Sequence, residues 1–304
     1  MTFGRIRIGT RGSALALAQT EAVADRLRGL GATVEIVRIR TEGDRAQADG
    51  SMMLGRGAFV KELERALLDG RIDLAVHSAK DMPTDPAEGT EVVAYPERED
   101  PRDALVSRDG RGLASLAPGA RVGTESPRRR AFLLHLRPDL VIAPIRGNVD
   151  TRLEKLDAGE FDALVVAAAG LTRLGRAGRI VERIAPAAML PAVGQGALAV
   201  QARAGDPRAA VAAALDHPAT RTAVTAERAF LRAMGGGCRT PFAALAEAAG
   251  GRVEVAGAAV EPDGREALRD SASGPAANAK AVGEALARAL LARGADRFAG
   301  EPGA

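Results

Sequence analysis

Two stretches of the chain carry one pattern: Leu67-Leu68-Asp69-Gly70-Arg71-Ile72-Asp73-Leu74-Ala75-Val76 and Leu156-Asp157-Ala158-Gly159-Glu160-Phe161-Asp162-Ala163-Leu164-Val165-Val166. Each reads as the end of a helix, a glycine stop and a short apolar strand. Working outward, Arg121-Val122-Gly123-Thr124 matches Arg7-Ile8-Gly9-Thr10, and each opens onto a helical pattern. Val141 to Ile145 runs into Arg146 as Val34 to Ile39 runs into Arg40. Strand, helix, strand, helix and strand follow one another from Arg5 to Val76, the order of a parallel sheet with helices on its faces. The expected fold class is α/β, with two similar halves. Aligning Gly70 with Gly159 sets Asp81 opposite Gly170, so only the first half has an acid at that strand end.

From about residue 218 the pattern changes. A helix over 219–234, strands over 252–260 and 265–271 around Pro262-Asp263-Gly264, and an Ala-rich helix over 276–293 predict a smaller third α/β domain. The polar, Pro-broken Arg98 to Asp103 reads as a crossing between halves, and Leu190 to Ala197 as the return. The expected domains are residues 1–97 with 197–216, residues 102–191, and residues 218–304.

Composition narrows the function. A single cysteine, Cys238, excludes internal disulfides and Cys-rich zinc sites. With 46% hydrophobic residues and both charge signs throughout, disorder of the whole chain is excluded. No apolar run reaches transmembrane length, and the start lacks the apolar core of a signal peptide, so the cytoplasm is expected and no membrane partner is. One Tyr and no Trp leave little to stack nucleic-acid bases on.

The net charge of +3 hides an uneven distribution. Only Lys61, Lys80, Lys155 and Lys280 are lysines; the remaining cations are arginines. Arg11, Arg128 with Arg129 and Arg130, and Arg152 fall at strand-to-helix turns, the clearest being Ser126-Pro127-Arg128-Arg129 with Ser at the N-cap. A helix N-terminus disfavours cations and attracts anions, so arginines there form a carboxylate or phosphate clamp. At one turn such an arginine reads equally well as a solvated surface cation. Repetition at three turns favours an anionic ligand.

Asp81 follows an apolar strand and precedes Met82-Pro83-Thr84, where it is either a turn residue or a functional acid. Cys238 follows Gly235-Gly236-Gly237, a loop without side-chain bulk that can present a sulfur, although a lone Cys is ordinarily a small buried hydrophobe. His77, His135 and His217 share no metal-ligand spacing, so no metal is expected and all three read as structural.

Ile8-Gly9-Thr10-Arg11-Gly12-Ser13, Phe59 to Glu64, Ala75 to Thr84, Arg98 to Asp103, Arg146 to Leu153, Leu190 to Ala197 and Gly236-Gly237-Cys238 resemble the porphobilinogen deaminase, or hydroxymethylbilane synthase, family. The matches run in order from residue 6 to about 245, while 246–304 is compatible in pattern only. The resemblance implies two periplasmic-binding-protein-like α/β domains plus a smaller third α/β domain. It implies a monomeric transferase of tetrapyrrole (haem, chlorophyll and corrin) biosynthesis. Such an enzyme joins four porphobilinogen molecules head to tail into hydroxymethylbilane with release of ammonia. A covalent dipyrromethane primer, one per chain, would sit on Cys238. By the same carry-over Asp81 is the catalytic carboxylate. Lys80, Ser13, Ser78, Thr124, Ser126, Arg128, Arg129, Arg146 and Arg152 would bind the primer, and Arg11, Arg173 and Ser13 the substrate.

Three places depart from the family pattern. Met52-Met53-Leu54-Gly55-Arg56-Gly57-Ala58, within the 46–58 loop, stands where a Lys-containing Gly-rich loop is common. Glu125 replaces a small hydroxyl residue inside the anion-binding turn, where it either weakens carboxylate binding or pairs with an arginine. Asp150 replaces a Gly in the Arg146 to Arg152 turn. A non-catalytic anion receptor on the same two-lobed architecture is the alternative; it accounts for the arginines but not for Asp81 or the Gly-Gly-Gly-Cys loop.

Overall fold

The computed structural model of the chain describes residues 3–41, 60–237 and 240–299. In chain order the strands are β1 Phe3–Thr10, β2 Ala32–Arg38, β3 Leu74–Ser78, β4 Thr90–Ala94, β5 Asp103–Ser107, β6 Arg121–Gly123, β7 Val141–Ala143, β8 Ala163–Ala167, β9 Glu182–Arg183, β10 Leu198–Arg203, β11 Phe242–Ala249, β12 Arg252–Val260 and β13 Ala267–Pro275. The chain divides into two compact units, Met1–Glu99 with Ala197–Arg221, and Asp100–Gly196 with Thr222–Ala304.

In the first unit β1 pairs in parallel with β2 and β3, and β10 enters antiparallel between β3 and β4, giving the order β2-β1-β3-β10-β4. In the second unit β6 pairs in parallel with β7 and β8, and β5 enters antiparallel between β8 and β9, giving β7-β6-β8-β5-β9. The two orders correspond position by position. Together with the separate antiparallel sheet β11-β12-β13, they form the α/β class read from the sequence, two α/β lobes of matching strand order and a smaller α/β layer.

The repeat has a physical basis at each matched position. Gly70 and Gly159 follow the helices Lys61–Leu68 and Val149–Asp157 with φ of 69° and 80°, the left-handed region that glycine enters without a Cβ penalty. Three residues on, the Asp73 carboxylate accepts from Arg7 N at 2.8 Å while Asp73 N donates to Arg7 O at 2.8 Å. Asp162 does the same to Arg121, at 2.8 and 2.9 Å. Each aspartate thus sets the register between neighbouring parallel strands. A Cβ on Gly9 would lie 2.3 Å from Ile72 Cδ1, and one on Gly123 would lie 2.7 Å from Leu164 Cδ2. At both places a side chain fits only if the packed Ile72 or Leu164 side chain shifts.

In the second unit, one face of β11-β12-β13 buries Val253, Val255 and Ala259 under the helices Pro218–Ala233 and Ala279–Ala292. Ala243, Ala258 and Val260 share a second apolar cluster with Leu105, Val122 and Phe132. That sheet is therefore covered on both sides. The expected strand 265–271 is Ala267–Pro275, and the expected helix 276–293 divides into a 3-10 turn, Ala276–Asn278, and the helix Ala279–Ala292. Strands β4, β5, β9, β10 and β11 do not figure in the sequence reading. β5 is buried at all of its positions and β10 at all but the last, so neither shows polar–apolar alternation.

Inserting a methyl group at the two close approaches strains both lobes. Gly9→Ala and Gly123→Ala are each expected to cost about 1–3 kcal/mol by overpacking, seen as a lower urea midpoint. Gly178→Ala, with no atom within 4 Å of the added Cβ, is the matched control and is expected to change little.

Candidate active site

The C-terminal ends of the parallel strands β1 and β3 lie side by side in the first unit, where open α/β sheets bind ligands. β1 leads through Arg11 to Ser13, whose Oγ accepts from Ala16 N at 3.3 Å and caps the helix Ala14–Gly29. β3 ends at Ser78 and continues into the short 3-10 turn Ala79–Asp81, which carries Lys80. Arg11, Ser13, Gln19, His77, Ser78 and Asp81 thereby line one pocket. Gln19 and Ser78 exchange hydrogen bonds, Nε2 to Oγ at 3.0 Å and Oγ to Oε1 at 3.3 Å. The Asp81 carboxylate forms no hydrogen bond or ion pair among the described residues. The pocket thus gathers a half-buried acid with hydroxyl, amide and guanidinium groups.

Gln19, which the sequence reading did not single out, joins this pocket, as does His77, which that reading gave as structural. The His77 ring is 5% exposed and its Nε2 has no hydrogen-bond partner among the described residues. Burial chiefly, with the positive charge of Arg11, lowers its pKa to about 4 against the opposing amide of Gln201. The imidazole is thus neutral at physiological pH. The other two histidines are structural: His135 Nδ1 pairs with Gly264 O at 2.8 Å, and His217 Nδ1 pairs with Thr220 Oγ1 at 2.9 Å in the first turn of its helix.

In the second unit the turn after β6 opens the helix Pro127–Leu136, with Ser126 as N-cap accepting from Arg129 N at 3.4 Å. Thr124 Oγ1 accepts from Ser126 N at 3.2 Å. Arg128 and Arg129 turn inward onto Asp103, which is wholly buried. Arg128 Nη1 donates to Asp103 Oδ2 at 2.7 Å and to Leu190 O at 2.6 Å. Arg129 Nε donates to Asp103 Oδ1 at 2.9 Å and its Nη1 to Val165 O at 3.1 Å. Gln195 completes the network, giving Nε2 to Asp103 Oδ1 at 3.0 Å and to Pro101 O at 2.8 Å. Burial opposes ionisation of Asp103, but the two guanidinium groups prevail and hold its carboxyl well below the usual range. The anion implied by arginines at this helix start is, for these two, an internal carboxylate. Asp103 and Gln195 are the residues that sequence reasoning missed; an acid opening an apolar run and a Gln between two glycines are the signals that mark them.

The outer arginines differ. Arg146 Nε pairs with Glu125 Oε1 at 3.3 Å, the pairing that the departure at Glu125 left open. Asp150 lies 3.8 Å from Arg176. Arg152 is half-buried, gives Nε to Gly147 O at 2.8 Å, and makes no ion pair among the described residues. Its pKa is lowered by burial first and by repulsion from Arg129, with the charge of Glu125 opposing. A desolvated guanidinium without a carboxylate is the condition that an incoming anion relieves. Arg173, at the end of the helix Ala168–Arg173, donates Nη2 to Gly196 O at 2.7 Å.

Cys238 lies outside the described residues, as does the loop 46–58 with Met52 and Arg56. Flanking the cysteine, Gly237 N donates to Thr240 Oγ1 at 3.3 Å and Thr240 Oγ1 to Gly237 O at 2.8 Å. A Cβ on Gly236 would lie 2.7 Å from both Leu231 Cδ1 and Phe242 Cδ2.

Two measurements probe these environments. Asp103→Asn leaves two buried guanidinium groups without their counter-charge and is expected to cost about 3–5 kcal/mol in urea denaturation. His77 titrates near 6.5 in the unfolded chain but only near 4 when folded, so the unfolded state binds the extra proton between these values. Stability therefore falls as pH drops through that window, by up to about 3 kcal/mol. His77→Gln is expected to flatten this slope in urea midpoints taken from pH 6.5 to 4. Asp103, held low, keeps its contribution until the pH falls below the ordinary carboxylate range.

Comparison with known proteins bears on both sites. Residues 6–211 match the family described as "Porphobilinogen deaminase, dipyromethane cofactor binding domain", and residues 221–292 match "Porphobilinogen deaminase, C-terminal domain". Among curated relatives, the porphobilinogen deaminase of Syntrophotalea carbinolica is 50% identical over 98% of this chain and 96% of its own. That of Acidothermus cellulolyticus is 50% identical over 98% and 92%. That of Rubrobacter xylanophilus is 51% identical over 96% and 95%. A solved periplasmic substrate-binding protein of Coxiella burnetii is 16% identical, with a TM-score of 0.44, over 73% of this chain and 96% of that one. With family matches over most of its length and half of its residues shared with such relatives, this chain belongs to the porphobilinogen deaminase family.

Proposed function

We propose that this chain joins four porphobilinogen molecules head to tail into hydroxymethylbilane, releasing ammonia at each addition, with Asp81 as the catalytic carboxylate. The observation that carries the assignment is an Asp81 carboxylate without a partner among the described residues, in a pocket whose polar walls are Arg11, Ser13, Gln19 and Ser78. The residues also fit a covalent dipyrromethane. Its acetate and propionate arms suit the desolvated Arg152, which makes no ion pair among the described residues, and the hydroxyl groups of Thr124 and Ser126. When bound through a thioether to Cys238, it supplies the pyrrole carbon on which the first addition is made.

This chain's side chains would share the work as follows. Arg11 and Ser13 receive the carboxylates of the incoming substrate, as does Arg173. Lys80 and Ser78, on the strand end that carries Asp81, hold primer carboxylates, as do Arg146 and Arg152. Arg128 and Arg129 add positive charge from beneath while fixed on Asp103. Loss of ammonia leaves a substrate cation, which the Asp81 carboxylate stabilises electrostatically. The same carboxyl gives a proton to the departing amine and takes one from the attacked pyrrole carbon, so its charge is restored after each addition. The neutral His77 keeps one more positive charge out of a pocket that must hold a developing cation.

The remaining expectations belong to this reading: a monomer working in the cytoplasm, with residues 1–97 and 197–216, 102–191 and 218–304 as its domains. Among the described residues no helix is long and apolar enough to cross a membrane.

Asp81→Asn is expected to fold, to keep an intact mass in excess of the polypeptide by two pyrrole units, and to lose about a hundredfold or more in turnover. Near-native turnover would overturn the role of Asp81. Cys238→Ala is expected to show the bare polypeptide mass; an adduct on that variant would place the attachment elsewhere.

A further inference from the structure

The anion-binding turn of the second lobe already contains a carboxylate of its own. Glu125 lies between Thr124 and the N-cap Ser126, where a helix N-terminus favours negative charge. Its Oε1 accepts from Arg146 Nε at 3.3 Å, and its charge also acts on Arg152 against the effects of burial and Arg129. Two aspects set this pair apart from the neighbouring one on Asp103. The Asp103 carboxylate is fully buried and makes bonds to Arg128, Arg129 and Gln195, so it cannot leave without stranding them. The Glu125 and Arg146 side chains are 45% and 46% exposed, so water can take either one over. Asp150 facing Arg176 at 3.8 Å repeats the exposed arrangement beside the same turn.

We propose that Glu125 is a displaceable internal counter-ion that occupies Arg146 until a pyrrole carboxylate replaces it, and so sets the affinity of this turn for the primer and the chain that grows on it. The proposal rests on the reading that Arg146 and Arg152 receive carboxylates of the pyrrole chain. Binding there exchanges one exposed ion pair for another, so the gain is smaller than for an unoccupied guanidinium. An exposed pair is worth no more than about fivefold in an equilibrium constant. A turn tuned in this way grips each successive carboxylate weakly enough to let the lengthening polyanion move on.

The test is a double-mutant cycle on the full, primer-carrying chain, with Glu125→Gln, Arg146→Gln and both together. The readouts are KM for porphobilinogen at low and high salt and the intact mass. Glu125→Gln is expected to lower KM by about two- to fivefold at low salt, with the ratio to native narrowing toward one as salt screens the pair. In the Arg146→Gln background the Glu125 change is expected to have a smaller effect on KM, only the part that acts through Arg152. If Arg146→Gln alone leaves both KM and the primer mass as in the native chain, the placement of carboxylates at this turn fails. If Arg146→Gln raises KM while Glu125→Gln leaves it unchanged or raises it, the counter-ion role alone is overturned.

Discussion

Asp103 has no exposure to solvent, and Arg128 and Arg129 reach it from the first turn of one helix. Much of the second lobe depends on that contact. Three charged groups leave water together, and their mutual attraction offsets a desolvation cost of several kcal/mol per ion only while every partner stays in place. The same groups extend outward. Arg128 holds Leu190 O, Gln195 holds Pro101 O, and Arg129 holds Val165 O at the centre of β8. The segments on either side of the lobe, around 101–103 and 190–195, are thus tied to a common charged centre. Sequence-distant backbone is brought into register by electrostatics as much as by apolar burial.

Two lobes with the same strand order carry different chemistry because their acids meet different surroundings. Asp103 is buried and saturated, so its negative charge is spent on architecture. Asp81 stands on the short turn after β3, half-buried, with no partner among the described residues. Gly170 holds the corresponding place in the second lobe and has no side chain to offer. Duplication of the frame therefore does not duplicate the side chains at the strand ends. The first copy has an acid there and the second has guanidinium groups, of which Arg152 makes no ion pair among the described residues.

Reading the sequence found the frame wherever a local rule forces a residue type. Gly70 and Gly159 adopt positive φ, Gly9 and Gly123 meet a packed side chain, and Ser126 caps a helix. These constraints act within a few residues or one helix–strand contact, so they leave a visible pattern. Strands β5 and β10 left none, because burial on both faces removes the alternation that marks a strand. Within the site, Arg11, Ser13 and Asp81 were legible as strand-end residues. What separates Arg128 from Arg152 was not legible, since it depends on Asp103, 25 residues from Arg128 in sequence, lying beneath one and not the other. The same holds for His77, whose role follows from its burial beside Arg11 rather than from its neighbours in the chain.

The place of β10 has a consequence for how the polypeptide acquires its structure. β4 joins its sheet only through β10, which is about a hundred residues further along the chain. β5 to β9, in contrast, are drawn from one uninterrupted stretch, 103–183. Of the two five-stranded sheets, the one whose strands come first is completed second: a nascent chain can close the other while the first still holds three strands and an unpaired fourth. Closing so long a loop is entropically slow, and the waiting edges of β3 and β4 are the surfaces through which misassembly would begin.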